Sequence, residues 1–215
     1  MGVVCVVLGA EASGPPWLII VGAFFLVQAI IYLRTTLWGK FGAWEKLLDD
    51  LALHGDEQLL DVGCGRGAVL LAAAQRLPTG RVHGIDLWRS ADQSGNDESV
   101  TAGNAEAEGV ADRVELHTGD MTALSFPDAS FDVVTSSLAI HNLRSLTSRF
   151  QALDEALRVL RPGGKVVVAD IRSAKNYAEH LRGVGAADVS VRNLGPGFWF
   201  GGPWQATSVV TATKP

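Results

Sequence analysis

Apolar and polar positions follow two different regimes along the 215-residue chain. The first is "WLIIVGAFFLVQAIIYL", Trp17 to Leu33, in which only Gln28 is clearly polar. As a helix this stretch would be about 25 Å long, slightly short of a hydrocarbon core. It is apolar on all sides, unlike an amphipathic surface helix. Trp17 and Tyr32 lie near its ends, where membrane-interface aromatics are expected. A shorter run, "GVVCVVLGA", precedes it and is broken off by "EASGPP". The two form a helical hairpin, or the first is only a lead. No Lys or Arg stands before the run and no small-residue cleavage pattern follows, which argues against a cleaved signal peptide. Arg34, Lys40 and Lys46 follow while only Glu11 precedes, so a spanning helix would leave the main domain in the cytoplasm. The competing reading is a soluble helix packed on the domain or on a second subunit. The expected organisation is an apolar segment over residues 1–36, a membrane anchor, and a second domain over 37–215.

The second regime is an alternation of strands and helices. "TTLWGKFGAW" reads as a Gly- and aromatic-bearing connector. "AWEKLLDDLAL" is an amphipathic helix with Trp44, Leu47, Leu48 and Leu51 on one face. "EQLLDVG", "RVHGID", "RVELHTGD", "FDVVTSSLA", "KVVVAD", "DVSVRN" and "QATSVVTATKP" read as seven strands. Helices are expected in "AVLLAAAQRL", "DESVTAGNAEAEG" (ended by Gly109), "LTSRFQALDEALRVL" and "NYAEHLRGVGA". In the third of these, Leu146, Phe150, Leu153, Leu157 and Leu160 fall on one face. "PTG" and "RPGG" are expected as turns. Such alternation implies right-handed βαβ units and a mostly parallel sheet covered on both faces. The last two strands are joined by "LGPGFWFGGPW" with no helix between, which predicts a closing antiparallel pair. The fold class is therefore α/β: a Rossmann-like, doubly wound seven-stranded sheet, mostly parallel with the last strand antiparallel, plus the N-terminal apolar helix.

Composition narrows the function. The net charge is −5 and there is no basic run, so nucleic acid is not an expected partner. The mean hydropathy of +0.19 is high for a soluble enzyme and reflects the N-terminal run. Cys5 and Cys64 occupy unlike contexts and do not read as a disulfide framework; Cys64 is expected to stay reduced. No metal site is expected.

Chemistry concentrates in "LLDVGCGRGAVLLAAA", where Gly63, Gly65 and Gly67 lie between a strand and a helix. Glycines there let the chain turn tightly and approach a ligand, and the helix that follows offers unpaired N–H groups. Gly63, Gly65 and Ala68 also satisfy the dinucleotide pattern G-x-G-x-x-A, so the turn alone leaves the ligand open. Asp61, just before the glycines, is placed to attract an ammonium. Asp86 ends the second strand about 20 residues on, where an acid accepts hydrogen bonds from ribose hydroxyls. Asp120, after the third strand, is placed to read an adenine amino group. An ammonium and an adenosine together point to S-adenosylmethionine.

In this order and spacing, "LLDVGCGRG", "GID", "TGDM", "FDVVTSS" and "EALRVLRPGGKVVVAD" resemble a class I S-adenosylmethionine-dependent methyltransferase of the small-molecule, ubiquinone/menaquinone-biosynthesis-like type. The resemblance covers about residues 40 to 215 and leaves the apolar segment unexplained. It implies a seven-stranded sheet with an antiparallel last strand. It also implies that Asp61, Gly63, Cys64, Gly65 and Gly67 line the methionine and ribose side, and that Asp86 holds the ribose. By the same resemblance Leu87 or Trp88 flanks the adenine, Asp120 and Met121 contact it, and Ser137 meets the ammonium through its carbonyl.

On the acceptor side, "SSLAIHNL" brings His141 and Asn142 to the sheet rim, and "WGKFGAW" is a candidate lid. His141 is a candidate general base, or it is a hydrogen-bonded helix-start histidine. Asn142 either orients an acceptor atom or caps the next helix. In "DLWRSADQSGN", Ser94 and Asn96 read as helix-capping candidates. Trp88, Asp92 and Gln93 are candidates for contact with cofactor or substrate, Asp92 as a catalytic acid or base and Gln93 toward the acceptor. Phe198, Trp199, Phe200 and Trp204 either pack a core, wall an acceptor pocket, or lie against a membrane with the N-terminal segment. The expected function is methyl transfer to a small-molecule or lipid-like acceptor by a membrane-anchored chain. The alternatives are a cofactor-binding scaffold without transfer activity and a nicotinamide-dependent oxidoreductase, which a parallel last strand would favour.

Overall fold

The computed structural model describes Pro15 and residues 17–89 and 94–215. The expectations for Cys5, the first apolar run, Asp92 and Gln93 lie outside the described residues. The chain divides into two compact units.

The larger unit comprises Trp44–Asn193 and Ser208–Pro215. Its seven strands are β1 (Gln58–Val62), β2 (Arg81–Asp86), β3 (Val114–Thr118), β4 (Phe131–Ser137), β5 (Leu160–Asp170), β6 (Ala187–Asn193) and β7 (Ser208–Thr213), in the order β3-β2-β1-β4-β5-β7-β6. β1 to β5 pair in parallel, and β7 runs antiparallel to both β5 and β6. The central strands read as near-continuous apolar runs because both faces are covered: Leu59, Leu60, Val62, Val133, Val134 and Val166 to Val168 are all buried. β6, at the sheet edge, is mostly exposed. The strand order reverses between β1 and β4, the place where open α/β sheets take ligands beyond the carboxyl ends of their strands.

Helices of this unit form where apolar spacing and caps agree. In Ala68–Arg76, Val69, Leu70, Leu71, Ala73 and Ala74 are buried. Glu98–Ala107 starts at Asp97, whose carboxylate accepts from the Ser99 N–H; the cap is thus Asp97 and not Ser94 or Asn96. Leu146–Val159 is capped by Ser145, which accepts from the Ser148 N–H; Asn142 caps nothing. Leu153 and Leu160 of the expected face are buried and Phe150 and Leu157 pack against the core, but the inward face extends toward the alanines and leaves Leu146 out. Ala152, Leu153, Ala156 and Val159 are buried while Leu146 is exposed, because small alanines allow close approach to the sheet. Ala174–Gly183 buries Tyr177, Ala178 and Leu181.

"RPGG" is not a free turn. It is a bulge inside β5: Phe131 pairs with Leu160, but Val133 pairs with Lys165, so the extra residues are expelled from the ladder. Gly163 takes φ +80° and donates to the Lys214 carbonyl, while the Lys214 N–H returns to the Gly164 carbonyl. Arg161 pairs with Asp132 across the bulge at 2.6 Å.

The smaller unit comprises Met1–Ala43 and Leu194–Thr207. Here the expected connector after Arg34 is helical. Helix α1 (Trp17–Arg34) passes through a π-helical turn (Thr35–Gly39) into α2 (Lys40–Asp50). A Lys40 N–H to Thr35 carbonyl bond closes the wider turn. Tertiary contact overrides glycine's poor helix propensity: a Cβ on Gly39 would overlap the Gly197 carbonyl, and the Thr35 hydroxyl donates to the Trp199 carbonyl. The aromatic segment before β7 forms two 3₁₀ turns, Pro196–Phe198 and Pro203–Gln205, and meets α1. Tyr32 packs on Phe200 at 5.9 Å between ring centroids and Phe24 on Trp204 at 6.0 Å. Gln28 Oε1 faces Gly201.

Two glycines should respond oppositely to alanine. A Cβ on Gly164 would lie 2.9 Å from the carbonyl oxygens of Arg161 and Asp132, so Gly164→Ala should cost about 1–3 kcal/mol. Gly103 lies in a helix with nothing within 4 Å of its Cβ position, so Gly103→Ala should add about 0.5–1 kcal/mol. Urea unfolding of the two variants beside the parent checks both signs.

Candidate active site

The turn after β1 is built by three glycines with positive φ: Gly63 at 71°, Gly65 at 51° and Gly67 at 88°. Gly63 is also sterically required, since a Cβ there would overlap that of Ala139 and lie 3.3 Å from Met121 Cε. That contact brings the loop after β3 against the glycine turn. The buried Thr101 hydroxyl donates to the Gly65 carbonyl at 2.7 Å and holds the turn from the helix above.

Asp86, at the carboxyl end of β2, is the hub. Its Oδ2 accepts from the Gly65 N–H at 3.0 Å. Its Oδ1 accepts from the Trp88 N–H at 2.8 Å and from Asn96 Nδ2 at 3.1 Å. These donors fix a half-buried carboxylate against the glycine turn. Trp88 itself takes φ +54°, and its indole donates to Thr118 Oγ1 at 2.9 Å; Leu87 beside it is exposed. Asp120 accepts from the Thr122 N–H and hydroxyl, each at 2.8 Å, and these bonds hold its carboxyl below the usual range.

Asp61 lies deeper, 1% exposed, bonded by the Thr135 hydroxyl at 2.8 Å. Burial pushes its carboxyl up to about 7, opposed by the Thr135 bond; a cation placed beside it would restore the charge. Cys64 presents only its backbone to the turn. Its thiol points at β2, where a Cβ on Gly84 would lie 2.9 Å from Sγ, and burial raises its pKa far above the usual thiol value. Ser137, at the end of β4, accepts through its hydroxyl from the buried Trp44 indole at 2.8 Å.

A second carboxylate terminates β5. Asp170 is 1% exposed and accepts from the His141 N–H at 3.0 Å, the Ile171 N–H at 2.7 Å and the Tyr177 hydroxyl at 3.3 Å. His141 Nδ1 lies 2.7 Å from Asp170 Oδ1, close enough for an ion pair but without the alignment of a hydrogen bond. Arg149 clamps the same loop by donating to the carbonyls of His141 and Leu143 and to Ser173 Oγ. Asn142 is exposed at the rim.

Asp61, the three glycines, Asp86, Trp88, Met121, Ser137 and His141 thus converge on the carboxyl ends of β1, β2, β4 and β5 and the loop after β3. Trp44, Asn96, Thr101, Arg149, Asp170 and Tyr177 were not legible as partners of these residues. Asp170 carried a usable signal, since it ends "KVVVAD" as Asp86 ends "RVHGID". A carboxylate fixed beside a glycine turn, a second acid beneath it and an indole at the strand end suit an adenosine bearing an amino acid. The antiparallel β7 argues against the nicotinamide reading.

Residues 60–168 match the family model described as "Methyltransferase domain". The chain is similar to the ubiquinone/menaquinone biosynthesis C-methyltransferase UbiE of Roseobacter denitrificans, 37% identical over 134 residues, covering 62% of this chain and 50% of that protein. It is also similar to the 27-O-demethylrifamycin SV methyltransferase of Amycolatopsis mediterranei, 34% identical over 193 residues, covering 78% of this chain and 66% of that one. The chain spans about half the length of the UbiE relatives it matches. Among solved structures, a geranyl diphosphate methyltransferase in complex with SAM superposes with TM-score 0.65 at 17% identity, over 81% of this chain and 85% of that one. The [4+2]-cyclase SpnF does so with TM-score 0.63 at 23% identity, over 80% and 81%. A cyclase among the neighbours means that the fold alone does not fix the reaction; the sequence match does the sorting. By that match and by this fold, the chain belongs to the class I S-adenosylmethionine-dependent methyltransferase family.

Proposed function

We propose that the chain transfers a methyl group from S-adenosylmethionine to a small-molecule or lipid-like acceptor while α1 holds it at a membrane, the larger unit lying on the cytoplasmic side. The observation that carries the reading is the Asp86 carboxylate, held by the N–H groups of Gly65 and Trp88 and by Asn96 against the glycine turn. So held, it accepts the ribose hydroxyls of the cofactor. Asp61 lies toward the ammonium, and Ser137 offers its carbonyl there. Leu87, Trp88, Asp120 and Met121 border the adenine, and the backbone of Gly63, Cys64, Gly65 and Gly67 lines the methionine side.

The cofactor supplies an electrophilic methyl on a sulfonium. Displacement then needs alignment and exclusion of water more than acid–base help. Where the acceptor must lose a proton, His141 takes it, and Asp170 at 2.7 Å stabilises the imidazolium that forms. Asn142 and the 90–93 segment, with Asp92 and Gln93, are the remaining acceptor-side candidates.

The membrane role is supported by the exposure of α1. Gly22 is its one buried residue, while Ile20 is 71% and Ile30 65% exposed. An apolar helix with that exposure in water carries a large unfavourable hydration cost. The exposed apolar side chains continue through Leu37, Trp38 and Phe41, and Arg34, Lys40 and Lys46 supply the positive flank. The names of the relatives, for ubiquinone/menaquinone biosynthesis and for a demethylrifamycin, support small acceptors, and the exposed helix favours those that partition into a bilayer.

Titration calorimetry of the full chain in detergent should detect S-adenosylhomocysteine, and Asp86→Ala should weaken it by about 1.5–3 kcal/mol, roughly 10- to 160-fold. Equal affinity in parent and variant removes the reading. With methyl-labelled cofactor, label should pass to a component of a membrane extract in preference to polar metabolites. His141→Ala should slow that transfer by about 10²–10⁴ if the acceptor is deprotonated, with cofactor affinity unchanged. In vesicle flotation the parent should rise with the lipid, and Ile20→Glu with Ile30→Glu should leave the protein at the bottom; equal flotation refutes anchoring by α1.

A further inference from the structure

We infer that His83, Glu115 and His117 form a binding site for a divalent transition-metal ion of the zinc type, joining β2 to the edge strand β3. In the parallel register His83 lies opposite Glu115, and Ile85 opposite His117. Glu115 and His117 are two apart on one strand, so they share a face, and the register partner His83 projects from the same face. One donor atom from each residue lies within 4.8 Å of the others. His83 Nδ1 is 3.0 Å from His117 Nε2 and 3.6 Å from Glu115 Oε2. Zinc bonds to imidazole nitrogen and carboxylate oxygen are about 2.0–2.2 Å; in a tetrahedron that separates neighbouring donors by about 3.3–3.6 Å. The observed spacings bracket this range.

The rings are held in place before any ion arrives. The two imidazoles stack at 5.3 Å between centroids, 18° from parallel. Phe126 packs edge-on against both, at 5.9 and 4.9 Å, and Phe131 against His83 at 5.3 Å. Burial lowers the pKa of His83, an effect that Glu115 opposes and that His117 and Arg81 reinforce, which favours the neutral imidazole that metal ligation needs. Arg81 is the competing cation. It reaches the other carboxylate oxygen of Glu115 at 3.7 Å from a half-exposed position and also donates to the Asp112 carbonyl, which leaves Oε2 facing His83. Glu115 is 45% exposed on its side chain, giving an ion a route in and water a fourth position. Two imidazoles and one carboxylate suit zinc, cobalt or nickel rather than magnesium or calcium.

The site is separate from the methyl-transfer residues, and its test does not need activity. Zinc titrated into the untagged, chelator-treated full chain should bind one equivalent by calorimetry and raise the thermal midpoint; cobalt should give the visible absorption of a tetrahedral site. His117→Gln and Glu115→Gln should each weaken binding at least about tenfold, since even an outer-shell loss costs about 10–100-fold. His141→Gln, which breaks a separate close imidazole–carboxylate pair, should leave it intact. Circular dichroism separates lost binding from lost folding, and Glu115→Gln, on a partly exposed edge position, keeps the test open if His117→Gln does not fold. A folded parent that binds no equivalent, or binding in His117→Gln and Glu115→Gln as strong as in the parent, reduces the pair to an ordinary imidazole–imidazole hydrogen bond and overturns the inference.

Discussion

The Asp86 carboxylate is the constraint on which the rim of the sheet depends. A carboxylate at a strand end is ordinarily solvated and free to rotate. Here it satisfies the Gly65 N–H in the first turn, the Trp88 N–H in the next residue but one, and the Asn96 amide ten residues on. One side chain thereby ties together the β1 turn, the start of its own loop and the approach to the following helix. Bonds from N–H groups to a charged acceptor are stronger than neutral ones. They hold Trp88 in a left-handed conformation that would otherwise be unfavourable for a bulky residue.

Strain of this kind recurs around the rim. Of the non-glycine residues with positive φ among those described, Trp88, Leu138 and Ser173 lie just past β2, β4 and β5. Such conformations persist where surrounding contacts over-determine them. Leu138 donates to the Ala169 carbonyl, Ser173 accepts from Arg149, and both stretches converge on Asp170 and His141. Pre-organisation of this sort suits a displacement reaction, whose demands are mostly geometric.

The seven strands were legible because their apolar runs are short, uniform and punctuated by glycine. The antiparallel closing pair followed from a connector too poor in helix formers to cross over. Asp61, Asp86 and Asp120 stood out as acids at strand ends. What escaped was everything set by contact between distant segments. Asn96 read as a cap because asparagine before a helix usually is one; only the fold brings its amide to Asp86. Trp44 read as core, and it is buried, but its indole also finds Ser137 across 93 residues. The "RPGG" bulge read as a turn because its closing partner, Lys214, is nearly at the carboxyl terminus. The helical run through "TTLWG" was hidden by glycine, whose local preference loses to the Gly197 carbonyl that needs its missing Cβ. His83, Glu115 and His117 were invisible as a group because strand register, and not spacing along the chain, unites them.

The discontinuity of the smaller unit sets an order of events during synthesis. Helix α1 is made before the sheet, yet the rings of Phe200 and Trp204 that cover part of it, and the Trp199 carbonyl 164 residues beyond Thr35, are made only after β6. Throughout translation of the sheet, Tyr32, Phe24 and their apolar neighbours have none of these contacts. A nascent chain that exposes such a surface for that long is prone to aggregate, which is the hazard chaperones counter. The late aromatic loop therefore closes over a helix that has stood without it while the whole sheet was made.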